Sequence, residues 1–302
     1  MSESVPSQKG KKLRTGPSPW IAAPALAFFG FFALIPLVGV FVLSFMSWDG
    51  LGSITFAGVD NWKAMLGNGV TQHAILLTLG MTILCWVIQT PISLLLGVFM
   101  AGQQKYRAVL SVLYFLPLLF SATAVGIAFN ALLDPNFGMS RAFGLDFLSQ
   151  DFLGNPTLAF YTIMFVIAWC FVPFHSLLYQ GAARQIPKSV MEAAMIDGAG
   201  RWQTFWHITL PQLRNTIVTS STLMIVGSLT YFDLIFVMTA GGPGNATRVL
   251  PLDMYLTGFR SYNMGGAAVI GVLLVVVGLT ISYLLNKLSG SSKMESTMEG
   301  AV

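Results

Sequence analysis

The sequence predicts an all-α integral membrane protein with six transmembrane helices. Of 302 residues, 55% are hydrophobic and only 9% are charged, whereas a soluble globular chain carries roughly 25% charged residues. So few charges cannot coat a core, which excludes a soluble enzyme, a disordered chain and a disulfide-rich secreted module. Six stretches are also long enough to cross a hydrocarbon layer about 30 Å thick as helices. They run continuously apolar and do not alternate, which argues against a β-barrel.

The elements follow in chain order. Residues 1–19 form a tail with Lys9, Lys11, Lys12 and Arg14. The first span covers about 20–46. It is too long for a signal peptide, holds Pro24 and Pro36, and has no small-residue cleavage site at Phe45-Met46-Ser47-Trp48, so the tail is expected to stay attached. Spans two to four cover about 74–101, 108–133 and 157–181, with Pro91, Pro117 and Pro173 each able to kink a helix. The fifth, about 215–240, carries Asp233, the one charged residue inside any span. The sixth covers about 264–286 and leaves 287–302 as a second tail. The ends, Met1–Lys12 and Ser291–Val302, are polar and expected to be disordered.

Lys and Arg set the orientation. The two tails, 102–107 and 182–214 together hold twelve, against four in 47–73, 134–156 and 241–263. The richer side is expected to be cytoplasmic, with both termini and the 182–214 loop. A net charge of +4 without a dense basic stripe points away from nucleic acid. Cys85 and Cys170 lie in apolar segments and read as small buried hydrophobes. His73, His175 and His207 fall in three separate regions and form no metal site.

The 33-residue loop 182–214 is long for a mere connection. Pro187 can open a helix, and Ser189 followed by Glu192 is a capping-box pattern. Val190, Met191, Ala194 and Met195 recur at helical spacing, and Gly198 and Gly200 end that helix. A second short helix is expected over 201–207, and Pro211 stands where the next should begin. The small Ala193 and Ala194 suit close approach of another backbone. Docking into a partner's groove and lying on lipid both remain open.

These residues carry a resemblance. Glu192-Ala193-Ala194, then Gly198, then Ile208, Leu210 and Pro211 match EAA-x3-G-x9-I-x-L-P at all seven fixed positions. This is the signature loop of permease subunits of binding-protein-dependent ABC importers. Phe232-Asp233 with Thr239-Ala240-Gly241-Gly242-Pro243-Gly244 resembles the "FD…T-G-G-P" segment of carbohydrate-type permeases, with Ala240 where a glycine is usual. Phe56-Ala57-Gly58-Val59-Asp60-Asn61-Trp62 resembles their "F-x-G-L-x-N-Y" segment. The chain is most similar in these features to the first maltose and glycerol-phosphate permease subunits.

The resemblance implies a type I ABC importer permease fold over 20–286, the pore of a sugar importer and no enzymatic activity of its own. It implies a second permease subunit in a heterodimer, two ATPase subunits and an extracellular or periplasmic sugar-binding protein as partners, in the lipid bilayer of the cytoplasmic membrane. No G-x4-G-K-[ST] loop occurs here, so ATP and Mg would be bound by the ATPase and no cofactor by this chain. Glu192, Ala193, Ala194, Gly198, Ile208, Leu210 and Pro211 would couple to that ATPase. Asp233 is expected to face the cavity or to clamp helices, with Arg248 a candidate partner, because a charge at that depth costs roughly 2.5–3.5 kcal/mol unless paired or hydrated. Sugars are held by aromatic stacking and hydrogen bonds, which makes Gln89, Tyr114, Ser121, Thr123, Asn130, Trp169, Tyr231 and Phe232 candidates for the substrate pathway. The absence of Lys and Arg from the spans favours a neutral cargo such as a di- or oligosaccharide. The alternatives are another solute such as glycerol phosphate, or a self-contained secondary transporter.

Overall fold

In hydrocarbon each backbone N–H and C=O needs an internal partner, so the apolar stretches must become helices. A computed structural model describes residues 19–289; the expected disordered ends and most of both tails lie outside the described residues. A 3-10 turn (Pro19–Ala22), α1 (Ala23–Phe29), a π turn (Gly30–Leu34) and α2 (Ile35–Leu43) make the first span, none of it buried. Pro36 sits in the first turn of α2, directly after the π turn, where a missing N–H does least harm.

Next, β1 (Met46–Ser47) pairs antiparallel with β2 (Thr55–Phe56), Met46 opposite Phe56. Asp49 holds the turn between them, its Oδ1 accepting from the N–H groups of Gly52 at 2.7 Å and Leu51 at 2.9 Å. Those bonds, Gly52 first, keep the Asp49 carboxyl below the usual carboxylate range. There follow α3 (Asp60–Gly67), α4 (Gly69–Met100), α5 (Lys105–Phe115) with a 3-10 turn (Leu116–Leu119), α6 (Ala122–Leu132), α7 (Met139–Phe143) and α8 (Pro156–Arg184). The loop contains α9 (Lys188–Ile196), α10 (Arg201–Thr204), a π turn (Phe205–Thr209) and α11 (Leu210–Gln212). The chain ends in α12 (Arg214–Ser228), α13 (Asp233–Thr239), α14 (Leu250–Tyr255), a π turn (Leu256–Arg260) and α15 (Met264–Ser289).

Two expected spans are not single helices. The third bends by 95° between Leu119 and Ala122. Pro117 supplies no N–H, Phe120 and Ser121 are extended, and the Ser121 hydroxyl restarts the helix by accepting from the Ala124 N–H at 3.2 Å. The fifth bends by 45° between Ser228 and Asp233 with no proline at the break. Among the described residues four helical stretches are long and apolar enough to cross alone, and the count reaches six if each bent pair is one span.

Between helices in lipid there is little hydrophobic driving force, so close fit of small residues decides the packing. Parallel α4 and α8 form the centre. Cys85 Sγ lies 3.9 Å from Met164 Sδ, and Gln180 Nε2 donates to Met100 O at 2.9 Å. At Gly97 a Cβ would sit 2.5 Å from Ser176 O, so only glycine permits this approach. Met81, Cys85, Ile163, Ile167, Cys170 and Ile235 fill the main core, both cysteines free and buried as expected.

Candidate functional site: a signature-loop surface and two cavities

The signature loop is built by local rules. α9 starts after Pro187 and has no side-chain cap. Ser189 lies inside the first turn, so the expected capping box through Ser189 and Glu192 does not form; proline's fixed φ opens the helix instead. The end is a Schellman arrangement: Gly198 N–H donates to Met195 O at 3.1 Å, and Ala199 N–H to Ala194 O at 2.9 Å. Gly198 has φ +75°, a left-handed conformation costly to residues with a Cβ. Gln203 Oε1 accepts from Gly200 N–H at 2.9 Å and starts α10.

Within the motif, Ala194 is buried while Glu192, Ala193 and Gly198 are exposed. Ile208 is half-buried, Leu210 packs with Leu94, Tyr179 and Leu213, and Pro211 stands exposed in the first turn of α11. The motif therefore splits into inward anchors and an outward face. Beside that face Met195 is 66% and Ile196 86% exposed, an apolar surface with no cover from the described residues.

The substrate-pathway candidates do not converge on one place. Tyr114 and Trp169 line a cavity of about 390 Å³ with Ile88, Tyr161 and Phe165. Phe129 meets Trp169 edge-on, with ring centroids 5.4 Å apart. Phe232 lines a second cavity of about 650 Å³, between α12 and α15, with Tyr255 and Phe259. Its ring stacks on Phe236 at 5.2 Å. Tyr231 packs against Phe171 at 5.2 Å, on the core's edge. Gln89 is fully buried between the central helices. Asn130 Nδ2 donates to Val237 O at 2.9 Å and so clamps α6 to α13. Ser121 is the helix cap already described, and Thr123 is exposed two residues on.

Asp233 is exposed in the first turn of α13, where the N-terminal end of a helix favours a carboxylate. Arg248 does not reach it. Arg248 Nη2 meets Asp253 Oδ1 at 2.7 Å and its Nε meets the same oxygen at 2.9 Å. Asp253 is 1% exposed. Sequence reasoning missed it, because Leu250-Pro251-Leu252-Asp253 lies in an expected outer loop and no periodicity marks the short α14 that buries it.

The residues and this fold define a membrane transport component. The chain belongs to the binding-protein-dependent transport system inner membrane components, whose family profile matches residues 93–293. It is therefore a multi-pass protein of the cytoplasmic membrane. Among relatives it is 32% identical to the multiple sugar-binding transport system permease protein MsmF of Streptococcus mutans serotype c, over 82% of this chain and 86% of that protein. It is 31% identical to the arabinooligosaccharides transport system permease protein AraP of Bacillus subtilis, over 90% of this chain and 88% of that one. In three dimensions it resembles a chain of the bacterial alginate ABC transporter crystallised with its alginate pentasaccharide-bound periplasmic protein. The TM-score is 0.78 at 23% identity, covering 89% of this chain and 92% of the other. The fold is thus that of a type I importer permease.

Proposed function

We propose that the chain is a pore-forming permease subunit that carries a sugar, with a di- or oligosaccharide its cargo, and that a separate ATPase drives it through the 182–214 loop. The observation that carries this reading is the divided motif: Ala194 and Leu210 hold the loop to the protein, while Glu192, Ala193 and Gly198 face outward beside exposed Met195 and Ile196. A surface of that kind is made for a partner's groove. The sugar assignment is supported by relatives named for sugar and arabinooligosaccharide transport and by the aromatic walls at Tyr114 and Trp169. Phe232 and Tyr231 belong to the hinge between α12 and α13, beside the second cavity. On this reading the loop side and both termini are cytoplasmic, and the permease works as half of a heterodimer with two ATPase subunits and an external sugar-binding protein. ATP and Mg belong to the ATPase, and the cargo crosses by alternating access.

The test is Glu192→Ala in the assembled transporter. Membrane insertion and yield stay as in the parent while sugar uptake and the ATPase stimulation it accompanies fall together. Normal coupling in that variant would remove the docking role of Glu192. Trp169→Ala should weaken uptake without touching basal ATPase; unchanged uptake would take the cavity out of the pathway.

A further inference from the structure

Where α8 runs into the 182–214 loop, three helix ends meet and two arginines close on one of them. α4 ends at Met100, so its last carbonyls have no donor from their own helix. Arg107 Nη1 donates to Phe99 O at 2.6 Å, and Arg184 Nη2 stands 3.5 Å from Met100 O. The two arginines come from different helices, brought together by one contact. Gln180 on α8 donates to Ser111 on α5 at 3.1 Å. α5 leaves this end as α8 arrives, so Arg107, one turn before Ser111, and Arg184, one turn after Gln180, lie at the same level.

The Arg107 guanidinium is built into its place. It lies over the Phe99 ring, 4.5 Å from the centroid, and its Nε donates to the Tyr106 hydroxyl at 3.2 Å. A Cβ at Gly102 would collide with its Nη1, so the glycine clears the seat. Two guanidinium charges here meet only about half a negative charge from the end of α4. Among the described residues no carboxylate pairs with Arg107, Arg184 or the neighbouring Lys105. Arg107 Nη2 and Arg184 Nε and Nη1 donate to none of these residues. A guanidinium fork with free N–H groups matches a phosphate.

The surroundings say which phosphate. Exposed apolar stripes run from this point along both neighbouring helices. Leu95 and Phe99 lie one turn apart on α4, and Tyr106, Leu110 and Leu113 follow at i, i+4 and i+7 on α5. The rings that open the two stripes are the ones that flank Arg107. Paired positive charge at the head of two apolar stripes has the chemistry of an anionic headgroup above its acyl chains. We propose that the ends of α4, α5 and α8 bind an anionic phospholipid, its phosphate on Arg107 and Arg184 and its chains along the stripes of α4 and α5. The lipid ties three helix ends together beside the start of the 182–214 loop. The inference needs a chain that spans a bilayer and is independent of the cargo.

The experiment uses the assembled transporter in nanodiscs holding phosphatidylglycerol or phosphatidylcholine with a diazirine in the acyl chain. Labelled peptides are mapped by mass spectrometry. In the parent, phosphatidylglycerol should label the α4 and α5 stripes well above phosphatidylcholine, and millimolar inorganic phosphate should not compete. Arg107→Gln and Arg184→Gln should each lower that labelling about fivefold, the loss expected for one basic residue at an anionic surface. Gly102→Ala keeps both charges and displaces the Arg107 fork, so it should lower labelling too. Lys287→Gln removes an equal charge from the last turn of α15, at the same end, and should leave labelling as in the parent. Equal labelling by the two lipids would overturn the proposal, as would parent-like labelling in the Arg107, Arg184 and Gly102 variants. An equal fall in Lys287→Gln would reduce the effect to general surface attraction and overturn the site. Competition by inorganic phosphate would assign it to a free anion and overturn the lipid.

Discussion

Two non-spanning segments flank the α12–α13 span, and they are built in opposite ways. The 182–214 loop leaves Glu192, Met195, Ile196, Trp202 and Trp206 exposed, while backbone caps and inward residues such as Ala194, Thr209, Leu210 and Leu213 hold it to the protein. The segment from Ala240 to Asp253 turns inward. Thr247 is fully buried, with its hydroxyl 2.7 Å from that of Thr239 and donating to Gly242 O at 2.8 Å, and Arg248 is tied to Asp253. Most of this segment's buried polar side-chain atoms are paired within it, Asp253 Oδ2 being the exception. A segment that leaves surface unsatisfied awaits a partner.

If that contrast is right, substitutions in the inward segment lower stability and those in the outward loop lower coupling. The largest stability effect is expected at Asp253→Asn. It leaves Arg248 largely buried without its counter-charge and should cost about 3 kcal/mol, read as a lower melting temperature in detergent. A parent-like melting temperature would make the ion pair dispensable. Asn130→Leu removes the α6–α13 clamp and should cost about 1–2 kcal/mol by the same assay, because the Val237 carbonyl loses a donor.

Gly198→Ala sharpens the comparison. The left-handed φ makes it cost about 1–2 kcal/mol locally at the end of α9, so ATPase stimulation should fall while the melting temperature of the membrane core moves little. Equal loss of both would show that the loop is part of the core's cooperative unit.

The smallest effect is expected at the β1–β2 turn. The Asp49 carboxyl is held low by the Gly52 and Leu51 amides, so its contribution is fully present above the ordinary carboxylate range. It is lost as pH falls through the depressed value. Amide exchange at Leu51 and Gly52, corrected for intrinsic rates, should stay slow into the acid range in the parent and be fast throughout in Asp49→Ala.

Much of this was written in the sequence because its physics is local or compositional. Uninterrupted apolar runs announce the spans, and the spacing from Glu192 to Pro211 announces the loop. Gly198 announces the left-handed helix end that α9 in fact uses. What stayed hidden depends on tertiary geometry. Pro117 showed that the third span could kink but not that Phe120 and Ser121 would turn it through 95°. No residue type marks the break before Asp233. The burial of Asp253 depends on α14, only six residues long, whose first four residues are all buried. The pathway candidates were chosen by residue chemistry alone, so helix facing separated Tyr114 and Trp169 from Gln89, Asn130 and Phe232.

The central claim is that the outward loop face is covered by an ATPase while the opposite end of the molecule is not. A photo-crosslinking amino acid at Met195, compared with one at Leu51 in the β1–β2 turn, tests it in intact cells. Both sites are well exposed in this chain. The account predicts an adduct of ATPase mass from Met195 and none from Leu51. An ATPase adduct from Leu51, or none from Met195 in a transport-competent complex, would contradict it.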